Sequence, residues 1–335
     1  MRALVVTNMY PTAARPALGR FVQDQMEALR RIDGIEVELF AFPPGMRSYP
    51  RAARELRRRF RGERFDVIHA HFGLTAWPAL ALRGAPHVVT FHGTDLAHPR
   101  SGRLSRAVVP LVTLAATVSA TLAELIPGAG VRRRVAVLPC GVDLGRFRPL
   151  PRRAARERFG LDPDGRYLLF PASPARPEKR VDRAREVAGE ATLLSLDDVP
   201  PDEVPLWVNA ANAVVIPSER EGLGLAVLEA LACDVPVVST PVGIAPQVLE
   251  GVAGTLCAPF DRDAWSAALA PHLAAADPRV AGRARADLFS ADRMARRVAI
   301  AWAALAGQAE GPVGAPAYTP RLGAAEAGNA APTDR

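Results

Sequence analysis

Pro217-Ser218-Glu219-Arg220-Glu221-Gly222-Leu223-Gly224-Leu225-Ala226-Val227-Leu228-Glu229-Ala230-Leu231-Ala232-Cys233 is the stretch whose reading decides the fold. Ahead of it stands Ala213-Val214-Val215-Ile216, a short apolar, β-branched run of the kind that forms a buried parallel strand. Beyond Gly224 the apolar spacing turns helical. The segment is therefore strand, tight loop, helix. A helix opening just past a parallel strand points its free N–H groups into the crevice at the strand ends, where α/β folds bind anions. Two carboxylates, Glu221 and Glu229, flank that start. Eight residues at helical rise span roughly 12 Å, about the reach from a sugar across a diphosphate to a ribose. Glu221 could hold sugar hydroxyls, the helix N-terminus a diphosphate, and Glu229 a ribose diol. A plain βα unit with two solvated glutamates shares the pattern, so the rest of the chain has to decide.

The chain has 335 residues, 49% of them hydrophobic, enough for two domains with separate cores. Cys140, Cys233 and Cys257 are widely spaced and form neither a metal nor a disulfide pattern, which fits a reduced, cytoplasmic setting. The apolar run after Met1 is too short for a signal peptide, and no stretch approaches a membrane span. Net charge is +7, yet residues 47–64 alone hold eight arginines against Glu55 and Glu63. No aromatic interleaving or nucleic-acid signature accompanies them, so nucleic acid is not an expected partner. That segment reads as a basic helix, either a solvated face or one drawn to anionic lipid at the inner face of the plasma membrane. Of 42 basic residues only Lys179 is lysine, which marks either a chance survival or a position where a compact ammonium is required.

In order, Ala3–Thr7 reads as a strand, residues 8–19 as a loop, and Arg20–Arg31 as a helix with Phe21, Val22, Met26 and Leu29 on one face. Gly19 stands either in a plain turn or where backbone can approach a ligand at a helix start. Ile35–Phe40 and Phe65–His71 are further strands. His69 and His71 share one strand face, without a third ligand at metal spacing, and are expected to pack and hydrogen-bond. His92 ends the strand from His87 and faces the sheet's carboxyl edge. Strands over Val112–Val118 and Arg134–Leu138 follow, and polar Arg146–Arg158 reads as the interdomain linker. The βα rhythm then restarts. Arg176 and Lys179 fall in the loop after strand Tyr167–Phe170, a usual place for phosphate contacts. Thr192–Leu196 and Val235–Ser239 are strands. Helices are expected over Glu203–Ala210, Asp261–Ala275, Pro278–Leu288 and Asp292–Leu305. From Gly307 the composition predicts a disordered tail. The missing G-x-G-x-x-G disfavours a nicotinamide dehydrogenase.

These motifs together resemble retaining glycosyltransferases of family 4. They are Tyr10-Pro11 with Gly19-x-Phe21-Val22, Thr90-Phe91-His92-Gly93-Thr94-Asp95, Pro139-Cys140-Gly141-Val142-Asp143, Arg176-Pro177-Glu178-Lys179, and above all Glu221-x7-Glu229. The start is similar to enzymes of teichuronic acid, capsule and other cell-surface glycans. The resemblance implies the α/β GT-B fold, two Rossmann-like doubly wound parallel-sheet domains facing across a cleft. Residues 1–148 would form the acceptor-side domain and 149–290 the nucleotide-sugar domain. Residues 291–306 would be a helix crossing back, and 307–335 the tail. It implies transfer of a hexose-type sugar from a nucleotide-diphosphate donor to a glycan, lipid-linked or small-molecule acceptor, with retention, no cofactor and no tightly bound metal.

By the same resemblance Glu221 meets the donor sugar, Glu229 the ribose, and Arg176 and Lys179 the diphosphate. Gly222, Leu223, Gly224 and Leu225 form the donor-binding turn, Gly19 offers its N–H to phosphate, and His92 approaches the reacting sugar. Independently of family, cations and a helix N-terminus at a diphosphate leaving group stabilise its developing charge. Departures exist. Pro174 stands where many relatives carry arginine, Gln247 where glutamate is frequent, and the Gly19 loop lacks a second glycine. A non-catalytic GT-B subunit binding a glycan or a partner transferase remains the alternative reading.

Overall fold

The computed structural model describes residues 1–126 and 135–307. The expected tail lies almost wholly outside the described residues, as does the start of the strand expected from Arg134. Strands β1 (Arg2–Thr7), β2 (Glu36–Ala41), β3 (Val67–His71), β4 (His87–Phe91), β5 (Leu114–Thr117) and β6 (Ala136–Val137) form one sheet in the order β2-β1-β3-β4-β5-β6. Strands β7 (Tyr167–Phe170), β8 (Thr192–Ser195), β9 (Ala213–Ile216), β10 (Val237–Ser239) and β11 (Leu256–Cys257) form a second, β11-β10-β9-β7-β8. All pairings within both sheets are parallel. Each sheet runs first to one side and then to the other. The winding therefore reverses between β1 and β3 and between β7 and β9, and such reversals open a crevice at the strands' carboxyl ends.

The strand pattern explains the layering. Ala3, Leu4, Val5 and Val6 are all fully buried. Alternation sends Ala3 and Val5 to one face and Leu4 and Val6 to the other. The first pair packs with helix Arg20–Arg30 and with helix Ala291–Leu305 through Val22, Met26, Met294, Val298 and Trp302. The last helix thus lies on the N-terminal sheet. Leu4 and Val6 pack with Leu56 and Ala76 from helices Ser48–Arg59 and Gly73–Ala79, and with Phe60 just past the first of them. The chain crosses between the domains twice, side by side. Val142 N donates to Phe289 O and Ala291 N to Val142 O, at 2.9 and 2.8 Å.

Three local expectations need correction. The stretch Arg146–Arg158 is not all linker, because Arg152–Arg158 is a helix of the second domain. Its polarity misleads. Arg152 and Arg156 are 2% exposed, and their guanidinium groups satisfy the carbonyls of Ala211, Pro278, Ala210 and Pro163. The helix expected over Pro278–Leu288 shrinks to Arg283–Asp287. Ahead of it, the N–H groups of Val280, Gly282 and Arg283 donate to Asp234, and Gly282 N also closes a tight turn on Val280 O, so no helical ladder forms there. Strand β11 was not expected, being only two residues long.

Candidate active site at the domain cleft

A cavity of about 420 Å³ lies where the two crevices meet. Ala17 and Arg20 line it from the first domain, Arg146 and Phe147 from the crossing segment, and Arg176, Lys179, Ser218, Glu221, Gly224, Leu225 and Glu229 from the second. Residues 171–180 follow β7 and residues 217–224 follow β9. Because β7 and β9 are adjacent, these loops share one wall. Glu219 N donates to Glu178 O at 2.9 Å and ties them together.

Lys179 and Glu221 form the centre of that wall. Lys179 Nζ donates to both Glu221 oxygens at 2.6 and 2.7 Å, and Ser218 Oγ donates to Glu221 Oε1 at 2.8 Å. The two side chains are 13% and 12% exposed, facing the cavity. Arg176 lies at the rim, paired with Glu178 at 2.8 Å. Arg180 is held by Asp182 and Glu219 and points away from the lysine. Leu225 opens the helix Leu225–Ala232, whose N-terminus faces the same space. Leu223 is buried, and its carbonyl accepts from Ile244 N at 2.7 Å, which anchors the turn.

Glu229 sits one helical turn further along, on the same face as Leu225. Burial lifts its carboxyl to about 7, with nearby Asp24 adding to the shift and Arg146 opposing it. Asp24 is 5% exposed and accepts from both Arg146 Nη atoms at 3.0 and 2.6 Å and from Arg20 Nε at 3.1 Å. Arg20 also reaches Asp202 of the second domain at 3.5 Å. These residues escaped the sequence reading. A signal was present, since Asp24 and Gln25 interrupt the buried face of an amphipathic helix between Val22 and Met26.

The Glu229 shift has a sign. A carboxyl raised in the folded state binds more protons than in the unfolded state from the usual carboxylate range up to about 7, so stability falls as pH rises through that window. Glu229→Gln is expected to flatten this slope and to raise the ligand-free melting temperature at pH 8. Melting curves from pH 5 to 8 test it, and an unchanged slope would refute the assignment.

Four of the expected site residues, His92, Gly19, Gly222 and Leu223, do not line the cavity. The His92 imidazole turns into the first domain and does not line the cavity. Its Nε2 meets His71 Nδ1 at 3.0 Å, its Nδ1 faces Cys140 Sγ at 3.9 Å, and Phe21 and Phe72 pack on the ring. What His92 offers the cleft is its backbone. A Cβ on Gly222 would lie 2.1 Å from His92 O, so only glycine permits the turn after β9 to seat there. Gly19 has φ 67° and abuts the Met9 carbonyl, where a Cβ would come within 2.1 Å. It shapes the turn, while its neighbours Ala17 and Arg20 face the cavity. Among the described residues no group of three His, Cys, Asp or Glu side chains is placed to hold a metal.

Two parallel α/β domains meeting across a charged cavity define the GT-B architecture. Solved structures agree. Sucrose-phosphate synthase from Thermosynechococcus elongatus superposes with a TM-score of 0.73 at 17% identity, over 92% of this chain and 99% of that one. Anabaena HepE in complex with UDP and glucose gives 0.67 at 17% identity, over 91% and 100%. At this identity they establish the fold alone. The sequence model "Glycosyltransferase Family 4" matches residues 4–146, and "Glycosyl transferases group 1" matches 166–274. The chain belongs to glycosyltransferase family 4. Relatives include a D-inositol 3-phosphate glycosyltransferase of Geodermatophilus obscurus, 30% identical over 72% of this chain and 67% of its own length. Another, from Thermobispora bispora, is 31% identical over 63% of each chain. The chain thus spans less than two thirds of that relative's length.

Proposed function

We propose that this protein is a retaining glycosyltransferase moving a hexose-type sugar from a nucleoside-diphosphate donor to an acceptor hydroxyl. The observation that carries the reading is the Lys179–Glu221 pair at the carboxyl ends of β7 and β9, with Glu229 beyond the intervening helix start. An arriving donor replaces Glu221 on Lys179 with its diphosphate, and Glu221 is freed to accept from sugar hydroxyls. Lys179, Arg176 and the helix N-terminus then stabilise the leaving diphosphate. HepE binds UDP and glucose, and the curated relatives are named for inositol 3-phosphate. A cell-envelope glycan, glycolipid or small molecule carrying such a hydroxyl is the acceptor class. Melting-temperature screening against nucleotide sugars tests donor binding, since a ligand specific for the folded state raises apparent stability. Anomeric configuration of the product by NMR tests retention.

Because the cavity supplies its own cations, activity is expected to persist in EDTA. Complete loss on chelation, restored by manganese or magnesium, would overturn this. Helix Ser48–Arg59 buries Ala52 and Leu56 and leaves Arg51, Arg54, Arg57, Arg58 and Arg59 outside the core. No described helix is long and apolar enough to cross a membrane. Peripheral docking at the cytoplasmic leaflet through this helix is part of the proposal. Binding to anionic vesicles is expected to fall with salt and with Arg57, Arg58 and Arg59 changed to Ser. Equal binding to neutral and anionic vesicles would count against it.

A further inference from the structure

Three imidazoles run from the C-terminal helix toward the cleft, and the site as described uses only the backbone of the last. Trp302 Nε1 lies 3.1 Å from His69 Nδ1. An indole nitrogen can only donate, so His69 carries its proton on Nε2 and donates it to Thr90 Oγ1 at 2.8 Å. His69 stacks on His71 with ring centroids 4.7 Å apart and planes 18° apart. The Gln25 amide nitrogen lies 3.2 Å from His71 Nε2. An amide nitrogen also only donates. His71 therefore carries its proton on Nδ1 and donates to His92 Nε2 at 3.0 Å. That leaves the His92 proton on Nδ1, toward Cys140 Sγ. Burial lowers the pKa of all three rings, that of His71 to about 3, so each is neutral.

We infer that Gln25 and His71 are positioning residues for sugar transfer, locking the tautomer and tilt of His92 and thereby the seat of the Gly222 turn beside Glu221. The inference rests on the transferase reading. Its mechanical link is short. The His92 and Gly93 N–H groups both donate to Asp95 Oδ1, at 3.0 and 2.9 Å, and the His92 carbonyl lies against Gly222. The ring is held at Nε2 by His71 and packed against Phe21 and Phe72, and the backbone that carries it is held by Asp95. Glu221 is the next residue along the facing turn. Gln25 and His71 are 6% and 0% exposed and do not line the cavity, so they act through His92 and not on substrate.

Nitrogen-15 NMR of the histidines in the full chain tests the arrangement without any substrate. The expected signature is Nδ1–H with an accepting Nε2 for both His71 and His92. Gln25→Glu is nearly isosteric but offers only acceptors, so it should turn His71 round and move the His92 proton to Nε2. With the sugar nucleotide found by melting-temperature screening, kcat should then fall on the order of 10-fold, while donor KM stays within about threefold. His71→Asn retains an N–H donor where Nδ1–H stood and should recover most of the rate, whereas His71→Leu should not. Gln25→Met, which also removes the donor without burying a charge, should lower kcat as well if the glutamate variant fails to fold. A parent protein with His92 protonated on Nε2 overturns the inference alone. So does a reversed tautomer in the variant with unchanged kcat, or equal loss in the Asn and Leu variants. A parent that transfers no sugar overturns the transferase reading and the positioning role with it.

Discussion

Lys179→Ala is expected to lower sugar transfer by roughly 100- to 1000-fold, the cost typical of losing one preorganised electrostatic stabiliser at a developing charge. The lysine lies on the cavity wall and joins the loop after β7 to the loop after β9. It holds both Glu221 oxygens in the free protein and faces the space a diphosphate would fill. Removing it forfeits the charge and releases the Glu221 carboxylate to Ser218 alone. Initial-rate kinetics with a nucleotide sugar, and nucleotide-induced stabilisation, report the two effects separately. Lys179→Arg is the sharper test. Arginine stands at every other basic position of the chain, so composition would tolerate it. The geometry does not. Lys179 is 13% exposed, and a planar guanidinium needs more room than a compact ammonium. Its turnover should fall about 10-fold, or about 1.4 kcal/mol of transition-state stabilisation. Because the position is half-enclosed and not free surface, a stability loss of about 1 kcal/mol should accompany it. Wild-type turnover by Lys179→Arg would make the lone lysine an accident of composition.

The second large effect is on stability. Asp24→Ala should destabilise the protein by about 3 kcal/mol or more, because truncating one partner of a buried pair leaves the other charge uncompensated. Asp24 is the hub of the pair. Its 4% exposed side chain accepts two bonds from Arg146 and one from Arg20. Arg146 belongs to the crossing segment and its side chain is 16% exposed. The pair therefore ties the first domain to the route into the second, at the cavity's edge. Urea unfolding measures the loss. A double variant, Asp24→Leu with Arg146→Met, should regain most of it, since replacing a buried pair with apolar groups is often neutral. If Asp24→Ala melts like the parent, the pair is not a structural tie. Asp24→Asn should also lower the Glu229 pKa, because the Asp24 charge helps to raise it.

Features legible in the sequence and features hidden from it divide along sequence distance. Strand and helix positions were legible because side-chain periods of 2.0 and 3.6 are local properties of the chain. The βα loops were legible as candidate ligand loops because a helix N-terminus after a parallel strand presents free N–H groups at the strand ends. Glu221, Glu229, Arg176 and Lys179 came from that logic, and the structure places all four on one cavity. His92 was assigned a place in the cleft from its position at a strand end. Position along a strand does not say where an imidazole turns, and here His71 captures it.

By itself the sequence determined the two parallel-sheet domains, the loops that carry charge, and the family. Only the tertiary structure decided which charges meet. Lys179 and Glu221 are 42 residues apart and touch because β7 and β9 are neighbours while β8 lies outside them. Arg146 and Asp24 are 122 residues apart, and Trp302 and His69 are 233 apart. No local period spans such separations. They are fixed by the reversal in strand order and by the C-terminal helix packing on the first sheet, because buried donors, acceptors and apolar faces must find partners wherever the chain can bring them.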